Sequence, residues 1–281
     1  MNEGTYYLYS DIAKKILTAI DEGKNCLEVS TDLNKSTRIV TIREKQVEFD
    51  TCNKLNKNQL QHISEKATRV FVLENSELRV LEYREDGYYK LVPTEHAPTV
   101  EIDGIKMHRS EGINPFEDAK LKVSQVVKEG DRVLDTCGGL GYTAIWEVRL
   151  GAREVVSVER NKFIQKLRSE NPWSQEIGNR RIHLVSSDIS DYIREFPAEC
   201  FDSVIHDPPR LSLAGELYGK AFYQELYRIL VKGGRIFHYT GTPHVIRRGG
   251  AFLSNVVQRL KSVGFKIVQP RRDLLGVRAM K

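Results

Sequence analysis

The feature that most constrains the fold is an alternation of apolar and amphipathic segments in the second two thirds of the chain. Seven apolar runs have the length and composition of strands, from RVLDT at residues 132–136 to GVRAMK at residues 276–281. Helical segments such as GKAFYQELYRILVKGG lie between the first six runs. The link QPRRDLL before the last strand is too short for a crossover helix, so that strand is expected to run antiparallel. The pattern predicts an α/β fold with a doubly wound, seven-stranded sheet covered on both faces.

The first 95 residues have a different pattern, which predicts a small β-rich α+β module. The segment YSDIAKKILTAIDEGK is expected to be helical because its apolar residues recur at helical spacing: Ile12, Ile16, Leu17 and Ile20. Short strand-like runs follow, with one helical segment, NKNQLQHISEKA, among them. A further hairpin is predicted with Asp103-Gly104 at its turn. We therefore predict two domains, at residues 1–95 and 96–281.

Composition and charge narrow the classes of protein to which the chain can belong. No apolar run reaches the length of a membrane-spanning helix, and MNEGTYYLYS lacks the pattern of a signal peptide, so no membrane partner is expected. The cysteines are scattered without a CxxC pair, at Cys26, Cys52, Cys137 and Cys200. Neither disulfides nor a metal site are therefore expected, and a reducing cytoplasm is the expected location. The net charge of +5 permits a nucleic-acid partner without requiring one.

A glycine-rich loop follows the first strand of the predicted sheet, in VLDTCGGLGYTAI. Its glycines, Gly138, Gly139 and Gly141, let the backbone turn sharply and approach a ligand closely. Four successive strands then end in a carboxylate: Asp135, Glu159, Asp188 and Asp207. The carboxyl ends of parallel strands form one edge of the sheet, where ligands bind. The alternative interpretation is that these acids are helix N-caps or solvated loop residues.

The acids indicate which nucleoside ligand such a loop would hold. Glu159 lies 18 residues after Gly141, the spacing at which an acid meets ribose hydroxyls in dinucleotide-binding folds. Carboxylates on both sides of a loop repel phosphate, so a phosphate cradle is disfavoured. A ligand without phosphates and with a cationic end fits better. S-adenosylmethionine, which joins adenosine to an amino acid through a sulfonium, is such a ligand.

Taken in order, VLDTCGGLGYTAI, VVSVERN, VSSDI and DSVIHDPPR resemble the successive motifs of class I S-adenosylmethionine-dependent methyltransferases, which have a Rossmann-like sheet. The resemblance covers residues 96–281, and KMHR, HDPPR and the N-terminal module resemble a group of archaeal methyltransferases without a settled substrate. It implies that Asp135, the glycine backbone and Tyr142 hold the methionine part of the cofactor. It also implies that Glu159 binds the ribose and that Asp188 and Ile189 meet the adenine.

The stretch VIHDPPRLS contains the candidate acceptor site. In amino-group methyltransferases, a related motif follows the fourth strand: Asp, Asn or Ser, then two prolines and an aromatic residue. The resemblance implies that Asp207 and the Pro208 carbonyl are catalytic, because together they would accept both N–H bonds of an amine and orient its lone pair. Pro209 and Arg210 would bind substrate. Arg210 replaces the aromatic residue, so it would stack on a base or grip a phosphate, unless the motif is only a rigid turn.

Other residues have weaker functional interpretations. Met107 and His108 in KMHR would cover the cofactor or pack within a loop. Arg247 and Arg248 follow the fifth strand and are candidate contacts to a substrate phosphate at the edge where the acids lie. The alternative is that they form the solvated start of a helix. Tyr223 and Tyr227 have helical spacing, which favours packing over stacking on a base.

Three functions are compatible with these features. The leading hypothesis is a methyltransferase acting on an amino group of RNA, tRNA or rRNA, with DNA as a further possibility. The second is a small-amine transferase related to spermidine synthases, although Asp207 is flanked by His206 and Arg210, the wrong charge for a polycation. The third is a non-catalytic S-adenosylmethionine-binding module. The N-terminal module would bind either RNA or a second copy of the chain, as a homodimer.

Overall fold

The computed structural model describes residues 4–241 and 249–281. They form two compact units, the first comprising Met1–Pro115 with Ser169–Trp173 and the second Phe116–Arg168 with Ser174–Lys281. No helix within those described ranges is long and apolar enough to cross a membrane.

In its described residues, the first unit contains two helices and three small antiparallel sheets, as its β-rich sequence predicts. The elements are β1 (Thr5–Leu8), α1 (Ser10–Asp21), β2 (Cys26–Val29), β3 (Arg38–Arg43), β4 (Gln46–Glu48), β5 (Lys54–Asn56), α2 (Lys57–Ser64), β6 (Phe71–Glu74), β7 (Glu77–Val80), β8 (Glu82–Arg84), β9 (Tyr88–Val92), β10 (Thr99–Ile102) and β11 (Ile105–Lys106). The sheets have the orders β1-β6-β7, β2-β3-β4-β5 and β11-β10-β9-β8.

The predicted hairpin is the pair β10–β11, and both residues of its turn have positive φ, 47° at Asp103 and 80° at Gly104. Such a turn favours the Asp-Gly dipeptide. Because β10 also pairs with β9, the hairpin is part of the first unit, and the predicted boundary at residue 95 falls inside one sheet.

The second unit is built on the seven-stranded sheet that the alternating segments predict. Its elements are α3 (Pro115–Val123), β12 (Arg132–Asp135), α4 (Tyr142–Arg149), β13 (Glu154–Val158), α5 (Lys162–Ser169), β14 (Ile182–Val185), α6 (Ile189–Tyr192), β15 (Phe201–His206), α7 (Lys220–Ile229), β16 (Leu230–Tyr239), α8 (Gly249–Ser262), β17 (Lys266–Arg271) and β18 (Gly276–Met280).

The strand order is β14-β13-β12-β15-β16-β18-β17. The first five strands in this order are parallel, and β18 pairs antiparallel with both β16 and β17, which confirms the predicted direction of the last strand. The order reverses at β12, so the carboxyl ends of β12 and β15 flank a topological switch point, where ligands bind in open α/β sheets.

Side chains that alternate along each strand separate the core into two layers. On β12, Val133 packs on the same face as Val126 and Val148, while Leu134 packs on the other face with Phe222 and with residues of α6 and α8. The sheet is therefore buried on both faces.

Candidate cofactor and acceptor site

An open cleft lies at the carboxyl ends of the central strands of the second unit. Four predicted site residues line it: Glu159, Asp188, Ile189 and Pro209. The other lining residues are Thr136, Cys137, Val158, Arg160, Ser187, Ala214 and Leu217. The lining thus combines two acids and one guanidinium with apolar side chains, and Pro209 is the residue of the HDPPR motif that reaches it.

The glycine loop is packed too tightly for side chains. A Cβ at Gly138 would lie 2.2 Å from Ser157 Oγ, and Gly141, with φ of 82°, is the left-handed residue that precedes α4. Gly138 is required because no side chain fits there, and Gly141 because its backbone conformation is unfavourable for other residues.

Glu159 connects this loop to the cleft. Its Oε2 accepts a hydrogen bond from the Gly139 backbone N–H at 3.1 Å, and its Oε1 accepts one from Asn161 N–H at 2.8 Å. Burial raises the pKa of Glu159, while the two backbone hydrogen bonds oppose that rise. A carboxylate offers about four acceptor positions, so Glu159 retains capacity for hydroxyl donors from a ligand in the cleft.

Asp135 lies beneath the loop instead of lining the cleft. It is fully buried, and its Oδ2 accepts hydrogen bonds from Thr143 Oγ1 at 3.0 Å and Ser157 Oγ at 2.9 Å. Its Oδ1 has no partner among the residues that the structure describes. Burial raises the pKa of Asp135 to about 6, against the effect of the two hydroxyls. The observed contacts join β12 to β13 and α4.

Tyr142 is also placed away from the cleft. Its side chain is 2% exposed and its ring packs against Phe116 with the centroids 5.5 Å apart. Only the backbone of Tyr142 is therefore positioned near the loop.

Asp188 combines the two interpretations that its sequence position allowed. It is the N-cap of α6, accepting a hydrogen bond from Ser190 N–H at 2.9 Å, and it also lines the cleft. Its Oδ2 accepts a hydrogen bond from Arg160 Nη1 at 2.7 Å. Burial would raise the pKa of Asp188, but the guanidinium and the backbone bond outweigh it and lower the pKa. Sequence reasoning did not identify Arg160.

Asp207 is held by a buried lysine from α3. Lys122 Nζ lies 2.8 Å from Asp207 Oδ2 and 3.0 Å from Asp118 Oδ2, and 3.7 Å from the centroid of the Tyr239 ring. The Asp207 side chain is 20% exposed, and no described residue donates a hydrogen bond to its Oδ1. One carboxylate oxygen is therefore fixed, and the other is available to a ligand. Sequence reasoning did not identify Lys122.

The two prolines after Asp207 form an anchored turn. Pro208 is buried, whereas Pro209 lines the cleft and its carbonyl accepts a hydrogen bond from Tyr218 Oη at 3.0 Å. Arg210 is exposed, and its carbonyl accepts a hydrogen bond from Leu213 N–H at 2.8 Å. Within the described ranges, no acid pairs with the Arg210 guanidinium. The Arg210 side chain is therefore available to a partner.

The buried side chain of His206, the residue before Asp207, anchors the start of the same turn. His206 Nδ1 lies 2.8 Å from Thr136 Oγ1, and His206 Nε2 lies 3.0 Å from the Leu217 carbonyl. A carbonyl only accepts, so Nε2 carries the proton and Nδ1 accepts from the hydroxyl. Burial lowers the pKa of His206 to about 4, which keeps the ring neutral near pH 7. His206 thereby joins the two sides of the cleft.

The remaining candidates contribute less. Arg247 and Arg248 lie outside the described residues. His108 Nδ1 lies 3.0 Å from Thr99 Oγ1 within the first unit, and the Met107 N–H donates to the Val100 carbonyl. The packing role of Tyr223 and Tyr227 is confirmed by their contacts: Tyr223 is fully buried and bonded to His238, and Tyr227 packs on Phe265.

Comparison with known proteins places the chain in a family. An uncharacterised protein of Methanocaldococcus jannaschii is 42% identical over 279 residues, covering 98% of this chain and 95% of that protein. The chain belongs to the same family as this protein. No known protein-family model matches the chain.

A second protein of that archaeon, whose name assigns it to the ribosomal RNA large subunit methyltransferases, is 37% identical over 92 residues. The aligned part is 32% of this chain and 24% of that protein. A spermidine synthase in complex with the transition-state analogue AdoDATO matches 74% of this chain and 77% of its own, with a TM-score of 0.61 and 18% identity. The chain therefore shares the fold of that spermidine synthase, and its seven-stranded sheet with an antiparallel last strand is the Rossmann-like sheet that the resemblance implied.

Proposed function

We propose that the chain is an S-adenosylmethionine-dependent methyltransferase that modifies an amino group of RNA. The observation that carries this proposal is the state of Asp207, which directly follows β15. Lys122 holds one of its carboxylate oxygens, and no described residue donates a hydrogen bond to the other. The adjoining Pro209 lines the same cleft as Glu159 and Asp188. An acceptor carboxylate and a candidate nucleoside site therefore lie side by side.

The residues of the cleft fit the proposed cofactor. Glu159 would accept the ribose hydroxyls, and Ile189 and Val158 supply apolar surface for the adenine. Glu159, which forms no ion pair among the described residues, disfavours a phosphate group beside it. The cofactor, when bound, supplies an electrophilic methyl group on its sulfonium.

The acceptor residues would orient an amine. Asp207 Oδ1 and the Pro208 carbonyl, to which no described residue donates a hydrogen bond, would accept the two N–H bonds. The nitrogen lone pair then points along one direction, which lowers the entropic part of the barrier. Pro208 has no N–H to compete, and the Tyr218 bond to Pro209 fixes the turn.

Three observations favour RNA as the substrate class. Arg210 is exposed beside the acceptor residues, where a guanidinium stacks on a base or binds a phosphate. The net charge of +5 suits a polyanion. A relative over part of the chain is named as a ribosomal RNA methyltransferase.

A small-amine transferase is the second candidate, because the matching spermidine synthase covers most of the chain in fold. The two candidates differ in charge at the acceptor site. A polyamine pocket requires several uncompensated acids, whereas Asp188 and Asp207 are each paired with a cation.

The test is a search for a nucleoside that loses its methyl group in RNA from a deletion strain, followed by methylation of that RNA by purified protein. Wild type should restore the modification, and Asp207→Asn should reduce its rate at least a hundredfold. Asp273→Asn, an exposed acid of the β17–β18 turn, is the matched control and should keep full activity. An unchanged nucleoside profile in the deletion strain would count against RNA as the substrate.

A further inference from the structure

The Lys122 ammonium occupies a cation position in the candidate acceptor site. It is 3% exposed, and its three nearest polar or aromatic partners are Asp207, Asp118 and the face of Tyr239. Burial alone would lower the pKa of Lys122, but the two carboxylates outweigh it and raise the pKa above the ordinary lysine value. The side chain is therefore a fixed positive charge throughout the neutral range.

This charge changes what Asp207 can bind. A protonated aliphatic amine is attracted to a carboxylate mainly by its charge, and the Asp207 charge already faces an ammonium at 2.8 Å. A second cation beside Asp207 would meet Lys122 as a like charge. A neutral amino group needs only an acceptor atom, and Oδ1 supplies one.

A second acid, which lines the cleft, is compensated in the same way. Asp188 pairs with Arg160 at 2.7 Å, so that carboxylate does not offer a free site for the far end of a diamine. Glu159 remains, but the proposed function assigns its free acceptor positions to the ribose hydroxyls of the cofactor. Lys122 is shared with Asp118, so its effect is local: at Asp207 itself, the adjacent ammonium suits an uncharged acceptor.

We propose that Lys122 is a specificity-determining residue, whose ammonium excludes protonated aliphatic amines from Asp207 and leaves the site open to a neutral amino group such as that of a nucleobase. The inference rests on the proposed function, because it assigns the substrate class of the same acceptor site. Lys122 acts through Asp207, so it is a positioning residue and not a catalytic one.

The test measures equilibrium binding of radiolabelled putrescine, a diamine with two positive charges near pH 7, to the full chain in the presence of 5′-methylthioadenosine. Wild type should show no saturable binding. Lys122→Met should gain saturable binding, at least tenfold above wild type, and adding Asp207→Asn should abolish the gain. Lys120→Met is the matched control, because Lys120 lies on the same helix, is half exposed, and its ammonium pairs with Glu117 and lies over the Trp146 ring.

Saturable putrescine binding by wild type would overturn the proposal without any variant. A folded Lys122→Met protein that gains nothing would also overturn it. Removing Lys122 leaves Asp118 and Asp207 without their cation, so Asp118→Asn/Lys122→Met is the second variant for the same measurement. Lys122→Arg keeps the positive charge and should still exclude putrescine. Titration of S-adenosylmethionine into the same proteins separates the proposed function from the role of Lys122. Wild type that does not bind S-adenosylmethionine contradicts the proposed function. Wild type that binds putrescine contradicts only the role of Lys122.

Discussion

The phenol of Tyr218 donates a hydrogen bond to the Pro209 carbonyl at 3.0 Å and so fixes the turn that carries the candidate acceptor residues. Tyr218→Phe removes this bond while keeping the ring. Methyl transfer should fall on the order of tenfold in kcat, because small misplacements of an acceptor slow a reaction strongly. Cofactor affinity should stay within twofold. Single-turnover kinetics test this, with Tyr227→Phe as the control that leaves the turn intact. An equal loss in both variants would contradict the role of Tyr218.

Glu159→Gln should weaken cofactor binding. The amide retains one acceptor oxygen, so it cannot accept from both Gly139 N–H and Asn161 N–H, and its NH₂ faces one of those donors. We expect an affinity loss of about 10- to 100-fold, or about 1.4 to 2.7 kcal/mol. Calorimetric titration measures it. Glu176→Gln, at an exposed acid paired with Arg149, should bind like wild type.

Asp135 should make the free energy of unfolding depend on pH. Its pKa of about 6 in the folded protein exceeds the unfolded value of about 3.9. Between these values the folded state binds more protons, so this group's contribution to stability falls as pH rises through that window. The total fall is about 3 kcal/mol.

Asp135→Asn removes this titration. The stability of the variant relative to wild type should therefore rise by about 2 kcal/mol from pH 4 to pH 7, whatever its absolute value. Urea denaturation at both pH values measures the difference. Parallel pH profiles of the two proteins would show that Asp135 has no raised pKa.

Variants of Arg210 distinguish two ways in which this side chain would contact RNA. If it binds a phosphate, Arg210→Ala should lower the salt dependence of RNA affinity by about one unit, and Arg210→Lys should restore it. If it stacks on a base, lysine should not restore affinity. Filter binding at several salt concentrations distinguishes these outcomes. Arg153→Ala is the control, because Arg153 directly precedes β13 at the opposite edge of the sheet.

The alternation of segments was sufficient to predict the second unit, because strands buried on both faces must be apolar throughout. It also placed Glu159, Asp188 and Pro209 in one cleft, since parallel strands end at a common edge. The short strands β1 and β5 were missed because runs of four and three residues carry little periodicity. Their pairing is decided by neighbours distant in the chain.

Lys122 and Asp135 show what a linear pattern does not reveal. Asp118 and Lys122 lie on the same face of α3 as the buried residues Ala119 and Val123. A pair of opposite charges four residues apart on a buried helix face is the signal that would have identified them. Asp135 is the last residue of β12 and is fully buried. The other three acids, Glu159, Asp188 and Asp207, lie beyond the ends of their strands. Burial depth at a strand end depends on loop packing, here the close approach of Gly138 to Ser157.

The central claim is that the cleft binds S-adenosylmethionine for methyl transfer. Isothermal titration of the purified protein with S-adenosylmethionine and with its decarboxylated form tests it most directly. We predict saturable binding that favours the intact cofactor by at least tenfold. Preference for the decarboxylated form would contradict methyl transfer and indicate aminopropyl chemistry, and binding of neither would contradict a cofactor site at Glu159 and Asp188.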